Sequence, residues 1–247
     1  MSACQCGYVF GSVADSSTAA GRLRDAVDLF SAKEALSIAF QAISELKGGI
    51  VRWMVVVGLF QVLPIAIAPK EAVLPAAILQ LWTGLCLQRA ALWTLRGEAA
   101  DFWSARVGFA TFGAILLAWL VMFVPIVIGL VLFIAPGVYL SLTWSQAPFL
   151  ILDGRARHVD ALRASEELTR DRRMEILLVL IVPLLLMLPV ILMQATVQPG
   201  GSTASLATPG FALFLVGSVW QMLVATFGTF VSAVVYQMLL NSKKNRP

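Results

Sequence analysis

The sequence predicts an all-α protein: a polytopic membrane helix bundle with six transmembrane helices and both termini in the cytoplasm. The chain is 59% hydrophobic and only 13% charged, whereas charged residues make up about a quarter of a soluble domain. Its charges are also clustered, since residues 107–152 and 176–242 contain no Asp, Glu, Lys or Arg. A helix needs about 20 apolar residues to cross a bilayer, so these two stretches predict two spans each.

Six apolar segments have the length of a span. They cover residues 50–68, 72–95, 109–128, 130–152, 176–197 and 211–240. The outer connections of the three resulting hairpins are short: 69–71, a turn near Gly129, and the polar stretch 198–209. None of them is long enough to form an external domain.

The basic residues predict the orientation. With both termini inside, every Lys and Arg except Lys70 falls on the cytoplasmic side, as the positive-inside rule requires. The predicted organisation is a flexible cytoplasmic segment at 1–30, a membrane domain at 31–242 and a basic cytoplasmic tail at 243–247. This arrangement is typical of a multi-pass membrane protein.

A cytoplasmic amphipathic helix is predicted before each hairpin. The first begins at a capping box formed by Ser31 and Glu34, the second occupies 98–107, and the third occupies 158–173. Their apolar residues are Leu36, Ala39, Phe40, Ile43 and Leu46, then Phe102, Trp103 and Val107, then Val159, Leu162 and Leu168. A helix at the level of the lipid headgroups needs one such apolar face.

The fourth apolar segment contains two prolines, which predict a bent helix. Pro136 precedes Gly137 near its outer end, and Pro148 lies near its inner end. A proline has no backbone N–H, so it leaves a carbonyl of the preceding turn without a hydrogen-bond donor. Within a bilayer such a carbonyl needs another donor from the protein. Candidate hydroxyls are Ser141, Thr143 and Ser145. Small residues recur every fourth position, at Gly137, Ser141 and Ser145 and at Ala110, Ala114 and Ala118, which predicts close packing of the third and fourth spans.

The same region resembles a known family. The motif residues, in order, are Pro136, Gly137, Pro148 and Asp153, followed by Ala161, Leu162, Ser165, Leu168 and Thr169. Over residues 31–240 the chain resembles the YciC-like membrane proteins and the membrane domain attached to some glycerophosphoryl diester phosphodiesterases. The resemblance implies a multi-helix bacterial inner-membrane protein. It does not imply phosphodiesterase activity, which resides in a separate barrel domain in that family.

Catalytic and metal-binding patterns are missing from the sequence. The single histidine, His158, has no partner at metal-ligand spacing, and the sequence contains no P-loop, nucleophile elbow or zinc-protease motif. Cys4 and Cys6 have no second pair downstream. We therefore expect no catalytic residue, no cofactor and no metal, and we do not expect an enzyme.

Polar residues within the spans suggest a different kind of site. Ion-coupled transport places charged groups at mid-bilayer, and the predicted spans contain none at that depth. Arg89 lies near the end of the second span, within snorkelling distance of the interface, and contact with a substrate or a lipid phosphate is the alternative. The groove residues that a carrier could use are Gln61, Gln80, Arg89, Ser141, Ser145 and Gln146.

Two functions remain open from the sequence. The first is a non-enzymatic protein that organises or assists other membrane components through its helices and charged cytoplasmic segments, with Asp153 to Glu175 as the surface for a protein partner. The second is a transporter or lipid-handling protein with a groove beside the kinked fourth span. A carrier requires a polar cavity at the groove residues, whereas an organising protein packs them dry. The expected partners are the lipid bilayer and other membrane proteins; without a basic face carrying aromatic residues, nucleic acid is not expected.

Overall fold

A computed structural model describes residues 18–25, 31–45, 73–98, 105–196 and 209–244, and all regular structure in these residues is helical. The helices are α1 (Ala19–Asp25), α2 (Ala32–Glu45), α3 (Val73–Leu95), α4 (Phe109–Leu132), α5 (Ile134–Trp144), α6 (Ala147–Leu152), α7 (Asp160–Thr169), α8 (Arg173–Thr196) and α9 (Pro209–Lys244). The predicted all-α class is confirmed for this part of the chain.

Three of these helices are long and apolar enough to cross a membrane: Phe109–Leu132, Arg173–Leu192 within α8, and Val216–Lys243 within α9. They coincide with the predicted third, fifth and sixth spans. Helix α3 matches the predicted second span in its bounds, but polar Gln80, Gln88 and Arg89 make it less apolar. The predicted first span, 50–68, lies outside the described residues.

The sequence predicts one bent helix for the fourth span, whereas the structure has two short helices there. Helix α4 continues to Leu132, and the chain turns at Phe133, whose N–H donates to the Gly129 carbonyl at 2.9 Å. The segment after the turn is split into α5 and α6, with Ser145 and Gln146 between them. Pro148 is the second residue of α6. A proline there has no N–H to continue the α5 ladder, but it suits the first turn of a new helix.

Helices α4 and α5 approach each other most closely next to their connecting turn. A Cβ atom on Gly129 would lie 2.9 Å from the Gly137 nitrogen, and one on Gly137 would lie 2.6 Å from the Leu130 nitrogen. The predicted small-residue contact therefore occurs at Gly137. It does not continue along the whole predicted stripe, because Ala110 and Ser141 are exposed.

Helix α2 begins directly after Ser31, as the capping signal predicts, and its predicted apolar face is packed in part, because Ala39 is buried and Leu36 and Ile43 lie against the core. The buried residues are Ala35, Ile38, Ala39 and Ala42, whereas Phe40 is 69% exposed. Helix α2 packs mainly against α9. Three of its four buried residues are alanines, which allow close approach of the two backbones. Leu46 lies outside the described residues.

The core occupies one end of the bundle, which we call the packed end. It comprises the second half of α9, the second half of α3, the start of α8, the buried residues Ile115, Ala118 and Met122 of α4, and helices α1, α2, α6 and α7. Phe230 and Tyr236 of α9 are fully buried there. Towards the opposite end, α9 exposes Val216 and Leu223 and α8 exposes Leu184. Apolar side chains on the surface of a spanning helix are expected to face lipid.

Candidate functional site

The break between α5 and α6 is closed by two hydroxyl groups from α7. The carbonyl of Thr143 is among the last four of α5, which have no partner within their own helix. Ser165 Oγ donates to it at 2.7 Å, and Thr169 Oγ1 lies 3.2 Å from the same oxygen. Both side chains are fully buried. Ser165 and Thr169 are four residues apart, so they share one face of α7 and hold it against the end of α5.

The hydroxyls that the sequence suggested for this role act locally instead. Ser141 donates to the Gly137 carbonyl, Thr143 to the Tyr139 carbonyl, and Ser145 to the Leu142 carbonyl. Each bond stays within α5 or its last turn. A serine or threonine in a helix readily bonds the carbonyl three or four residues earlier, and this local bond leaves the Thr143 carbonyl to the side chains of α7.

Asp153 connects three helices at the packed end. Its Oδ1 lies 2.6 Å from Arg96 Nη2, just after α3, and its Oδ2 accepts from Arg155 Nε at 2.5 Å. The Tyr236 hydroxyl of α9 donates to Oδ2 at 3.0 Å. The Asp153 side chain is only 8% exposed. A carboxylate this buried is stable when it is paired and hydrogen-bonded, as it is here.

Two contacts from α9 complete this cluster. The Tyr236 ring stacks on Phe149 of α6 with a centroid distance of 5.6 Å. With its amide oxygen turned towards Arg96, Gln237 accepts from the guanidinium at 3.2 Å. The cluster therefore fixes the end of α3, the end of α6 and the second half of α9 relative to each other.

The predicted motif residues are thus largely brought together. Pro148 creates the helix break, Ser165 and Thr169 close it, and Asp153 ties it to α3 and α9. Ala161 and Leu162 are buried on the same side of α7 as the two hydroxyls. Leu168 is partly buried, Gly137 lies in the α4–α5 contact, and Pro136 is exposed.

The groove residues lie in different environments. Gln146 is fully buried and donates through Nε2 to Ser145 Oγ at 3.0 Å, whereas Gln80 and Ser141 are exposed. Gln61 lies outside the described residues. Arg89 donates to the Arg106 carbonyl at 3.1 Å and stacks over Trp93 with its guanidinium carbon 4.9 Å from the ring centroid. Its side chain is engaged by the protein, and the polar groove stays a prediction.

A cleft lies between the α7–α8 turn and the end of α9. Its volume is about 280 Å³, and its lining residues are Glu167, Leu168, Asp171, Arg172, Leu239, Ser242 and Lys243. Lys243 Nζ lies 3.4 Å from Glu167 Oε2. The outward side of α7 beside the cleft is exposed and carries charges of both signs, at Arg163, Glu166, Glu167 and Arg170.

The sequence did not reveal the partners of these residues. Tyr236 and Arg96 reach Asp153 across 83 and 57 positions. Arg173 at the start of α8 hydrogen-bonds the Tyr139 hydroxyl of α5, and its guanidinium carbon lies 4.3 Å from the centroid of that ring. Neither Tyr236 nor Tyr139 lies in a pattern that would have identified it.

The described residues offer no obvious metal site. Among them, no group of three or more His, Cys, Asp and Glu side chains could hold a metal ion. His158 is exposed in the turn before α7, with its backbone in the left-handed region at φ 46.

In the residues that the structure describes, the fold is helical and includes three helices long and apolar enough to span a membrane. A buried polar cluster at one end ties the last of them, α9, to the ends of α3 and α6. No family model, no curated protein and no solved structure matches the chain.

Proposed function

We propose that the chain is a non-enzymatic integral protein of the bacterial inner membrane that organises another membrane protein through its charged helix α7. One face of α7 is held by the Ser165 and Thr169 bonds to the Thr143 carbonyl, while the opposite face is exposed and charged. A short helix held in this way presents its charges in a fixed arrangement, and fixed charges favour specific recognition. This two-sided arrangement of α7 is the observation that carries the proposal.

The proposed orientation places the packed end in the cytoplasm. Arg96, Arg155, Arg173 and Lys243 all lie at this end, on four different segments. Positive residues that flank spans remain on the cytoplasmic side. We further propose the six-span topology with both termini inside, and membership of the YciC-like family that the motif residues suggest.

The charge pattern favours a protein partner over a lipid surface. Between Asp153 and Glu175 the numbers of basic and acidic residues are equal. A lipid-binding segment gains its affinity from an excess of positive charge, which this segment lacks. A mixed-charge face instead fits a complementary mixed-charge face on another protein.

The transporter or lipid-handling alternative has less support from the described residues. It needs a polar cavity beside the broken helix, whereas Gln146 is buried there with its Nε2 bonded to Ser145 Oγ. The about 280 Å³ cleft is lined by a different set of residues. We therefore favour the organising role.

An exchange of charges on α7 tests the proposal. In the double variant Arg163→Glu with Glu166→Arg, the net charge is unchanged and both positions are exposed, but the charge pattern is inverted. We expect crosslinked co-purification from native membranes to lose the protein partner, while the amount of inserted protein stays the same. Lys33→Ala, an exposed change on α2, is the control that should retain the partner. Recovery of a stoichiometric lipid or small molecule, and no protein, from the wild-type chain would overturn the proposal.

A further inference from the structure

The carboxylate of Asp153 pairs with two guanidinium groups at once. Arg96 Nη2 lies 2.6 Å from Oδ1, and Arg155 Nε lies 2.5 Å from Oδ2. These three side chains together carry one positive charge in excess. The pair of Lys243 with Glu167 at the same end of the bundle is, by contrast, one cation to one carboxylate. The excess charge beside Asp153 is therefore available to a second anion.

The other side chains of this cluster do not supply that anion. Tyr236 donates its hydroxyl to the carboxylate, and Gln237 accepts from Arg96 through its neutral amide. Glu98, two residues after Arg96, is exposed and pairs with neither arginine. In the part of the chain that the structure describes, no second carboxylate therefore pairs with the two guanidinium groups. A bound anion would reduce the repulsion between them.

The backbone holds both arginines at the ends of their helices. The N–H of Arg155 donates to the Leu150 carbonyl at 3.0 Å, and Gly154 before it has φ 68, which together form the cap of α6. Gly97, directly after Arg96, has φ 76 and caps α3 in the same way. The negative helix ends offset part of the excess charge, but their carbonyls already accept the cap hydrogen bonds. The guanidinium donors are thus left for other acceptors.

Both guanidinium groups keep N–H donors that the cluster does not use. Arg155 uses its Nε towards Asp153, and its side chain is 56% exposed. Arg96 uses Nη2 towards Asp153 and both Nε and Nη2 towards Gln237, and its side chain is 30% exposed. A guanidinium is a rigid fork that suits phosphate oxygens. Two forks on one carboxylate are neighbours, so they can donate to different oxygens of the same phosphate group.

The cluster lies near the end of a candidate span. Tyr236 lies seven residues before Lys243, where the span in α9 ends, which is about 10 Å along the helix. Arg96 directly follows α3. A long arginine side chain reaches the headgroups from such a position, and the exposed side of Arg155 is also open to water.

We propose that Arg96 and Arg155 bind a phosphate group beside Asp153. Its oxygens accept from the outward N–H groups of both arginines, and its charge balances the second cation. The source of the phosphate is either the headgroup of an anionic lipid or a free phosphate ion. The site goes beyond the proposed role of α7, since none of its residues lies on that helix, and it depends neither on a protein partner nor on the orientation of the chain.

Binding to the full chain in a neutral detergent tests the site. In one arm inorganic phosphate is titrated and the heat of binding is measured. In the other arm phosphatidylglycerol is added and native mass spectrometry counts the bound lipid, with diacylglycerol as the matched lipid that lacks a phosphate. We expect saturable binding of inorganic phosphate or of phosphatidylglycerol, and weaker binding of diacylglycerol.

The variant Arg155→Ala shows whether the phosphate occupies this site. It removes one of the two forks, and the exposed pair of Arg155 with Asp153 contributes little to stability, so the variant should remain folded. We expect its affinity for the bound probe to fall about tenfold, as for the loss of a hydrogen bond to a charged group. Arg157→Ala removes the same charge from an exposed position two residues further on. It is the matched control and should keep the wild-type affinity.

The two arms identify the source of the phosphate. A loss with Arg155→Ala in the lipid arm alone identifies a lipid headgroup, and a loss in the phosphate arm alone identifies a free ion. No binding in either arm would overturn the proposal, and so would an Arg155→Ala protein that binds as tightly as the wild type. Equal losses for Arg155→Ala and Arg157→Ala would also overturn it, because they would show a general attraction to positive charge in place of a site.

Discussion

The hydroxyl of Tyr236 donates a hydrogen bond of 3.0 Å to the carboxylate of Asp153, across 83 residues of sequence. This bond joins the longest described helix, α9, to the end of the short helix α6. At 1.5 Å per residue, the 36 residues of α9 extend about 54 Å, well beyond a hydrocarbon core of about 30 Å. The part of α9 that bonds Asp153 is packed among other helices of the chain, and this packing defines the end of the bundle where the proposed site lies.

Asp153→Ala should destabilise the protein strongly. The change leaves the guanidinium of Arg96, whose side chain is 30% exposed, without its carboxylate, and breaking a buried pair of this kind costs about 3 kcal/mol. Tyr236→Phe removes one hydrogen bond and should cost about 1 kcal/mol. Unfolding of the purified protein in mixed detergent micelles measures both changes.

Arg155→Ala is the matched control, because the Arg155 side chain is 56% exposed and an exposed pair contributes little. An Asp153→Ala protein no less stable than the Arg155→Ala protein would contradict the central role of Asp153.

The two hydroxyls on α7 should act as a pair. Ser165→Ala or Thr169→Val alone leaves one donor near the Thr143 carbonyl, so each should cost about 1 kcal/mol. The double variant leaves that buried carbonyl without either hydroxyl, which adds a desolvation cost of about 1–3 kcal/mol. The same unfolding measurement on both single variants and the double variant gives the coupling between them. Ser44→Ala, an exposed serine that bonds only its own helix, is the control. A strictly additive double variant would show that the hydroxyls do not share the carbonyl.

Gly137→Ala should separate α4 from α5. The new Cβ would lie 2.6 Å from the Leu130 backbone nitrogen, and a backbone atom cannot move aside as a flexible side chain can. Overpacking of this type costs about 1–3 kcal/mol. Gly113→Ala within α4 is the matched control, because a Cβ there meets nothing within 4 Å and alanine favours a helix over glycine. Equal unfolding midpoints for the two variants would argue against the close approach at Gly137.

The proposed topology predicts the location of reporter tags. A tag inserted at Ser202, in the polar stretch 198–209, should be accessible from the outer side of the membrane, and a tag at the carboxyl end from the cytoplasmic side. Protease protection in spheroplasts and in inverted vesicles measures both positions. A control tag at Arg157, which lies exposed between α6 and α7, should behave like the carboxyl end. Tags at Ser202 and at the carboxyl end in one compartment would contradict the predicted hairpin.

Much of the helical framework follows from local properties of the chain. Residues 109–128, 176–197 and 211–240 are uncharged and apolar, and each coincides with a helix long enough to span a membrane. The break before Pro148 is also local, because proline lacks the N–H that a continuous helix needs. The start of α2 after Ser31 follows from its capping residues.

The packing partners depended on the tertiary structure. The apolar residues of α2 are compatible with more than one buried face, and packing of its alanines against α9 left Phe40 on the surface. Likewise, Ser141, Thr143 and Ser145 were reasonable donors for the broken helix. Their hydroxyls bond carbonyls within α5 or its last turn. The donors to the Thr143 carbonyl therefore come from α7.

By itself, the sequence determined that the chain is helical. It also determined which stretches are apolar and where proline interrupts them. These features depend only on residues that are close together in the sequence. Only the tertiary structure decided that Asp153 meets Arg96 and Tyr236, and that α7 turns its hydroxyls inward and its charges outward. Those choices depend on how distant helices fit against one another. The fit is set by the shapes of whole packed surfaces, and a local sequence pattern does not predict those shapes.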